Sequence, residues 1–230
     1  MSDLYRSPKE TPVFIDVPTD NCRVTTSGSR PDATALAALE AYTSANIGDA
    51  QDRLNMMSAA IKPQCGGARC VGTALTVLTR DGDNLAIHRA LDEAEPGDVL
   101  VINGHSNINR AVFGDLLAEI CLARRVAGVV IDGAIRDRDA IAELQLPVWA
   151  TGVTPTGPTK NGPGIIGEPV ACGGVVVTTG DVIVADGDGV AVITPTRLDA
   201  VLGTLAAIDQ MEANLRARIR ESAAREGALA

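Results

Sequence analysis

The sequence predicts an α/β fold with a mixed central sheet, and three observations carry that prediction. Short apolar runs of strand length, at 99–102 and 128–131, alternate with amphipathic segments of helix length through the middle of the chain. Three further apolar runs, at 173–178, 182–185 and 190–193, follow one another at hairpin spacing and call for antiparallel strands. No internal repeat or linker-like change of composition divides the chain. One domain over 31–230 is therefore expected, preceded by an irregular arm over 1–30.

The arm carries Pro8, Pro12 and Pro18 among Thr and Ser. Pro31 suits the first position of a helix bearing Leu36, Leu39 and Tyr42. Asn46-Ile47-Gly48-Asp49 reads as a turn, with a second helix over 50–60. Alternation over 71–79 predicts a strand, and 84–93 a short helix. Pro96-Gly97-Asp98 turns the chain into the buried run 99–102. A helix over 115–126 leads into the strand at 128–131. A helix near 139–144 and a strand at 148–150 follow. Residues 151–164 are rich in Pro, Gly and Thr, carry Lys160-Asn161, and are where a flexible lid would lie. After the hairpin strands, a long polar helix starts near Pro195.

A chain of 230 residues buries a core without staples. Its 46% hydrophobic and 21% charged residues exclude collagen-like and wholly disordered classes. Aromatics at 2% demand an aliphatic core and leave no stacking platform for single-stranded nucleic acid. A net charge of −9 repels a phosphate backbone, so no nucleic-acid partner is expected. Five scattered cysteines without a Cys-x-x-Cys suit a reducing compartment. The polar N-terminus has no signal-peptide pattern, and no apolar run approaches membrane length. A soluble, cytoplasmic protein with no membrane partner is the expectation.

Chemistry is narrowed by elimination. Two histidines, His88 and His105, do not make a His-rich zinc site, and Cys65-x4-Cys70 lacks partner ligands. Phosphate-loop and serine-elbow motifs are absent. What remains is carboxylates near an arginine. Gly114-Asp115 before an amphipathic run places Asp115 at a helix N-cap, with the N–H groups of Leu116 and Leu117 at the positive helix end, where anions bind. Arg136-Asp137 follows a buried strand, and ligands of open α/β sheets gather beyond strand carboxyl ends. Arg136 suits a two-point grip on an anion. Asp137 and Asp115 offer hard oxygens for Mg²⁺ or Mn²⁺. On these residues alone a second reading stands beside the first: Asp115 is only a cap, and Arg136–Asp137 only a surface ion pair.

Asp115, twenty intervening residues and Arg136-Asp137 resemble the signature of the class II pyruvate aldolases typified by 4-hydroxy-4-methyl-2-oxoglutarate/4-carboxy-4-hydroxy-2-oxoadipate (HMG/CHA) aldolase. Their RraA-like superfamily also contains RraA, the regulator of ribonuclease E. The resemblance runs from about Thr43 to Thr194, through Ile47-Gly48-Asp49-Ala50, Asp81-Gly82-Asp83-Asn84, Pro96-Gly97-Asp98-Val99 and Gly180-Asp181-Val182. It implies a single-domain swivelling β/α sandwich, assembled as homotrimers or homohexamers with sites at subunit interfaces. It implies that Asp137 binds a divalent metal directly and that Asp115 holds metal-bound water. By the same resemblance Arg136 grips the carboxylate and carbonyl oxygen of a 2-oxo acid, and the amides of Leu116 and Leu117, next to Gly114, complete the carboxylate pocket. A neighbouring subunit is expected to bring Asp49, where the aldolases can have Glu, to the proton-shuttling water. Glu212 is the candidate for a further acid acting through water, and His105 for a contact to the distal part of the substrate.

Cleaving a 4-hydroxy-2-oxo acid, or decarboxylating oxaloacetate, leaves a pyruvate enolate whose oxygen needs a cation beside it. No lysine lies in the signature, which disfavours a Schiff base. Lys62 and Lys160, the lysines beyond the arm, read as solvated loop charges. His88 reads as a packed or capped histidine, Asp132 as a partner for local backbone N–H groups, and 186–189 as a hairpin turn rather than a calcium loop. Three functions follow. The first is a metal-dependent aldolase/decarboxylase of 2-oxo acids. The second is a non-catalytic RraA-like regulator of ribonuclease E, whose pattern has Gly where this chain has Asp115. The third is a related lyase for a sugar-acid-derived 2-oxo acid.

Overall fold

The computed structural model describes residues 15, 18–25, 28, 30–65 and 67–225. In chain order it contains β1 (Cys22–Val24), α1 (Ala33–Leu39), α2 (Ser44–Ala50), β2 (Lys62–Pro63), β3 (Cys70–Thr79) and α3 (Leu85–Glu93). There follow β4 (Asp98–Phe113), α4 (Asp115–Ala123), β5 (Gly128–Ile135), α5 (Arg138–Glu143), β6 (Val148–Val153) and β7 (Gly164–Ile166). The chain continues through β8 (Val170–Cys172), β9 (Val175–Val177), β10 (Val182–Ala185), β11 (Val190–Ile193), a 3₁₀ turn (Pro195–Arg197) and α6 (Leu198–Arg225).

Parallel strands β3, β4, β5 and β6 form the centre of a nine-stranded sheet. Such strands are covered on both faces, which is why Val99, Leu100, Val101 and Ile102 are all apolar and all fully buried. Antiparallel partners close the edges: β7 and β10 share the outer side of β3, β10 returns through β11, and β2 pairs with β6. The sheet is therefore mixed, as the hairpin spacing predicts. One face carries α3, α4 and α5 over an aliphatic core that includes Ile87, Leu91, Leu117, Ile131 and Ile141. The other face buries Val101, Val130, Trp149 and Val192. A third cluster joins α1, α2 and the start of α6 to the β10–β11 hairpin through Leu39, Ile47, Val184 and Leu205.

Five expectations need correction. Within the 1–30 arm, Cys22–Val24 is a strand, paired in parallel with Gly164–Ile166; the prolines at 8 and 12 lie outside the described residues. Pro31 precedes its helix, because the Asp32 side chain accepts the N–H of Thr34 and makes Asp32 the cap. Residues 46–49 are helical, not a turn. Thr43 and Asn46 form a reciprocal capping box, and Asp186 accepts both the N–H (2.7 Å) and the hydroxyl (2.6 Å) of Ser44. The helix expected over 50–60 is absent, since Asp52, Arg53 and Asn55 adopt left-handed backbone. Finally, β4 does not stop at 102. It runs on through the polar stretch to Phe113 with successive register shifts against β5.

Candidate active site

The continuation of β4 builds the site. Phe113 pairs with Ile135, and the N–H of Arg136 donates to the carbonyl of Phe113 at 2.9 Å. Two adjacent parallel strands thus end at the same level, and Gly114-Asp115 and Arg136-Asp137 leave them side by side. Arg136 Nε stands 3.1 Å from Asp137 Oδ2. Asp137 sits in left-handed backbone (φ 55°, ψ 36°), a conformation of moderate cost that turns its carboxylate at the start of α5. Gly114 is extended (φ −152°), so its need for glycine is steric rather than conformational. A Cβ there would lie 2.6 Å from Asp137 Oδ2 and 3.1 Å from Arg136 Nε. A Cβ on Gly157 would lie 2.8 Å from Arg136 Nη1, so the loop backbone rests against the guanidinium.

Gly114, not Asp115, occupies the cap position of α4, and Asp115 is the first helical residue. Its Oδ1 accepts the N–H of Leu116 at 2.8 Å, so that amide is not open in this arrangement. An entering carboxylate competes for it with the protein's own. Leu116 is exposed, while Leu117 is buried in the core and fixes the helix end.

Gly114, Asp115, Leu116, Leu117 and Arg136 line a cavity of about 180 Å³ together with Asn84, His88, Pro158 and Lys160, and Asp137 stands behind Gly114 rather than in that lining. The second wall is held by Asp83, which is 1% exposed. Its carboxylate accepts the N–H groups of Leu85 (2.9 Å), Asn161 (2.6 Å) and Gly162 (3.0 Å) and the hydroxyl of Thr159 (2.7 Å). Burial pushes the Asp83 pKa up, but these donors outweigh it and hold the group below the usual carboxylate range. The loop expected as a flexible lid is thus tied, in its C-terminal part, to the residue before the cap of α3. His88 lies one turn after Asn84, is 7% exposed, and has no hydrogen-bond partner on either ring nitrogen. Burial and the nearby Lys160 charge depress its pKa to about 4, against a smaller opposing effect of Asp83. Asn84 Oδ1 is likewise buried and unpartnered.

Sequence reasoning missed His88 and Lys160 as lining residues. The available signal was Asp83-Asn84, which ends where α3 begins. The structure brings Gly114, Asp115, Leu116, Leu117, Arg136 and Asp137 together and leaves the other candidates elsewhere in the chain. His105 (φ 61°) places Nε2 2.7 Å from the carbonyl of Thr79 and lines a separate cavity of about 520 Å³ with Asn21, Arg23 and Asp81. Asp49 pairs with Arg53 at 3.2 Å, and Glu212 pairs with Arg216 at 2.8 Å. Asn46 of α2 lies 3.4 Å from Glu212, so both acids belong to the α2–α6 side of the molecule. Asp132 accepts the N–H of Gly173, a distant rather than local partner. Asp186 serves Ser44 and Asp188 at the β10–β11 turn, as a structural staple.

The donor set at the Arg136 corner fits a hard divalent cation. Asp137 and Asp115 supply carboxylate oxygens without thiol or imidazole, and the missing Cβ of Gly114 leaves space beside Asp137 Oδ2. Among the described residues no three His, Cys, Asp or Glu side chains converge. Asp137 would hold such an ion directly, the rest of its shell being left to water and substrate oxygens, as is common for Mg²⁺. No helix among the described residues is long and apolar enough to cross a membrane.

Known proteins resemble this chain over most of its length. A protein of Halalkalibacterium halodurans named "Putative 4-hydroxy-4-methyl-2-oxoglutarate aldolase" is 42% identical over 156 residues, covering 68% of this chain and 74% of that protein. A protein of the same name from Ectopseudomonas mendocina is 32% identical over 157 residues, covering 68% of this chain and 96% of the relative. The crystal structure of Streptomyces coelicolor RraAS2, described as an unusual member of the RNase ES inhibitor RraA protein family, superposes with a TM-score of 0.74 at 30% identity. It covers 82% of this chain and all of that one. A family model described as RraA-like, Aldolase/RraA, matches residues 44–192, the span that contains both strand ends and the whole cavity, and the chain belongs to that family.

Proposed function

We propose that this chain is a divalent-metal-dependent carbon–carbon lyase, a class II pyruvate aldolase. It cleaves 4-hydroxy-2-oxo acids of the 4-hydroxy-4-methyl-2-oxoglutarate type to pyruvate and decarboxylates oxaloacetate as a side activity. The observation that carries the reading is the corner where Gly114 packs against both Arg136 and Asp137 at the positive end of α4. The names of the two aldolase relatives support it.

The 2-oxo acid enters with its carboxylate on the N–H groups of Leu116 and Leu117, and Asp115 releases Leu116 to receive it. Arg136 directs its planar N–H pair at that carboxylate and the neighbouring carbonyl oxygen. Mg²⁺ or Mn²⁺ would be held by Asp137 directly and by Asp115 through water. When bound, such an ion supplies positive charge beside the carbonyl oxygen. As the C3–C4 bond breaks, the 4-hydroxyl gives its proton to the shuttling water, C4 becomes a carbonyl, and the electron pair spreads over C3 and the 2-oxo oxygen. The Arg136 guanidinium is already in place to meet that charge. A proton delivered to C3 completes pyruvate.

In a homotrimer or homohexamer, Asp49 and Glu212 of a neighbouring protomer are the candidates to hold the proton-donating water. Met211, Leu215 and Ile219 support such an assembly: they recur every fourth residue along α6 and are each at least half exposed.

The test is pyruvate release from oxaloacetate and from 4-hydroxy-4-methyl-2-oxoglutarate, with and without EDTA. Release that EDTA abolishes and Mg²⁺ or Mn²⁺ restores is expected. No release under any metal overturns the reading in favour of the protein-binding regulator. Turnover confined to sugar-acid-derived 2-oxo acids favours the third function.

A further inference from the structure

The larger cavity, of about 520 Å³, has no role in the chemistry described so far. It opens where β3 ends and β7 begins, and its walls are largely apolar, supplied by Leu78, Pro163 and Ile165. Its size suits a small organic molecule. The polar groups on its rim are not alike. Arg23 is paired with Glu168 at 2.9 Å, Asp81 accepts the Asn107 amide at 2.6 Å, and His105 spends its Nε2 proton on the carbonyl of Thr79. Arg80 differs. Among the described residues its guanidinium has no carboxylate partner and makes one long hydrogen bond, from Nη1 to the carbonyl of Gly162 at 3.3 Å.

A single loop separates the two cavities. Gly157, Pro158 and Lys160 face the smaller one, and Pro163 and Ile165 the larger. Between them, residues 161–162 are held from both sides. Asp83 takes their N–H groups, while Asn21 Nδ2 donates to the carbonyl of Asn161 at 2.5 Å and Arg80 to that of Gly162. Both carbonyl donors line the larger cavity, so a ligand there competes with the loop for them. A carboxylate offers the guanidinium a charged, two-point partner that one carbonyl at 3.3 Å does not match, and Gly162 then loses its donor. The apolar walls set the rest of the ligand. A second charge would lie unpaired against Leu78 and Ile165, which excludes dicarboxylates, and Arg80 repels cations.

We infer that the larger cavity binds a small monocarboxylate with an apolar body, and that its occupation loosens residues 161–162 and with them the loop that rests against Arg136. The inference stands apart from the lyase reading, because neither binding nor loop motion requires turnover.

The probe is octanoate added to the full-length protein, followed by calorimetry, methyl resonances and amide hydrogen exchange. Octanoate is expected to bind more tightly than butanoate by about ten-fold or more, since the added methylenes meet apolar wall. Octylammonium is expected not to bind. Methyl resonances of Leu78 and Ile165 are expected to shift, and those of Met211 and Leu215 on α6 to stay, which separates the cavity from the exposed apolar stripe. Arg80 is exposed, so its variants fold. Arg80→Met is expected to weaken octanoate by about ten-fold, and Arg80→Lys to recover part of the loss. Exchange at the amides of Asn161 and Gly162 is expected to quicken several-fold with octanoate in wild type and to be insensitive to it in Arg80→Met. No binding to wild type, shifts confined to α6, or unchanged affinity in Arg80→Met overturns the site. Binding that leaves exchange at the two amides unchanged overturns the coupling to the loop.

Discussion

The Cβ that Gly114 lacks would stand 2.6 Å from Oδ2 of Asp137, inside any allowed contact. The extended backbone of Gly114 accepts alanine without strain, so Gly114→Ala folds and relieves the clash by pushing the carboxylate and the Arg136 stem aside. Stability is expected to stay within about 1 kcal/mol of wild type. Pyruvate release is expected to fall by about 10²-fold, the usual penalty for misplacing a reacting group by an ångström. A urea melt together with the release assay checks both halves, and full activity in this variant removes the corner from the mechanism.

Arg136→Lys keeps the charge and loses the planar fork. One ammonium cannot meet a carboxylate and a carbonyl oxygen together, so kcat is expected to drop by roughly 10²-fold. Asp137→Ala is expected to abolish metal-dependent turnover. Steady-state kinetics across a Mn²⁺ titration separate the two effects: the arginine variant still saturates with metal and the aspartate variant does not. Unchanged decarboxylation in Asp137→Ala refutes the ligand assignment.

Asp115 was legible as the acid that opens an amphipathic helix, and Arg136-Asp137 because they follow a buried strand, whose end in an α/β sheet gathers ligands. The reason they meet was not legible. Residues 103–110 are polar and read as a loop, yet they stay in β4 through register shifts that no local pattern announces. The placement of α2 depends on Asp186 binding Ser44 across 142 positions of sequence, and β1 exists only through its pairing with β7. His88 hides in an apolar helix, where periodicity shows burial but not the cavity at its side. The hairpin β10–β11 was readable, since two apolar runs flank Asp186-Gly187-Asp188-Gly189.

Asp83 holds the wall that carries Lys160. Asp83→Asn keeps the shape but leaves one oxygen, uncharged, for four donors, and the stability loss is expected to be about 2–3 kcal/mol. Amide hydrogen exchange at Asn161 and Gly162 is expected to quicken before global unfolding. Because its folded pKa lies below the unfolded value, the wild-type carboxylate contributes fully above the ordinary carboxylate range, and that contribution is lost as pH falls through the folded pKa. The variant therefore loses less stability than wild type on acidification below about pH 4. Unaltered exchange at the two amides would falsify the tether.

His88 gives a second window of the same sign at higher pH. Its folded pKa is about 4 against the ordinary 6.5, because burial and Lys160 disfavour the imidazolium. Between those values the unfolded chain binds the proton and the folded chain does not, so stability rises with pH across the interval and is flat above it. Acidification from pH 7 to pH 4 is expected to remove up to roughly 3 kcal/mol through this one group. His88→Gln has nothing to titrate and should lose that much less over the same range. Urea midpoints at half-unit steps from pH 4 to pH 7, wild type against variant, isolate the difference from the carboxylates that both proteins share. Parallel curves mean that the imidazole is charged or solvated in the fold, and the unpaired ring in the cavity wall then loses its physical basis.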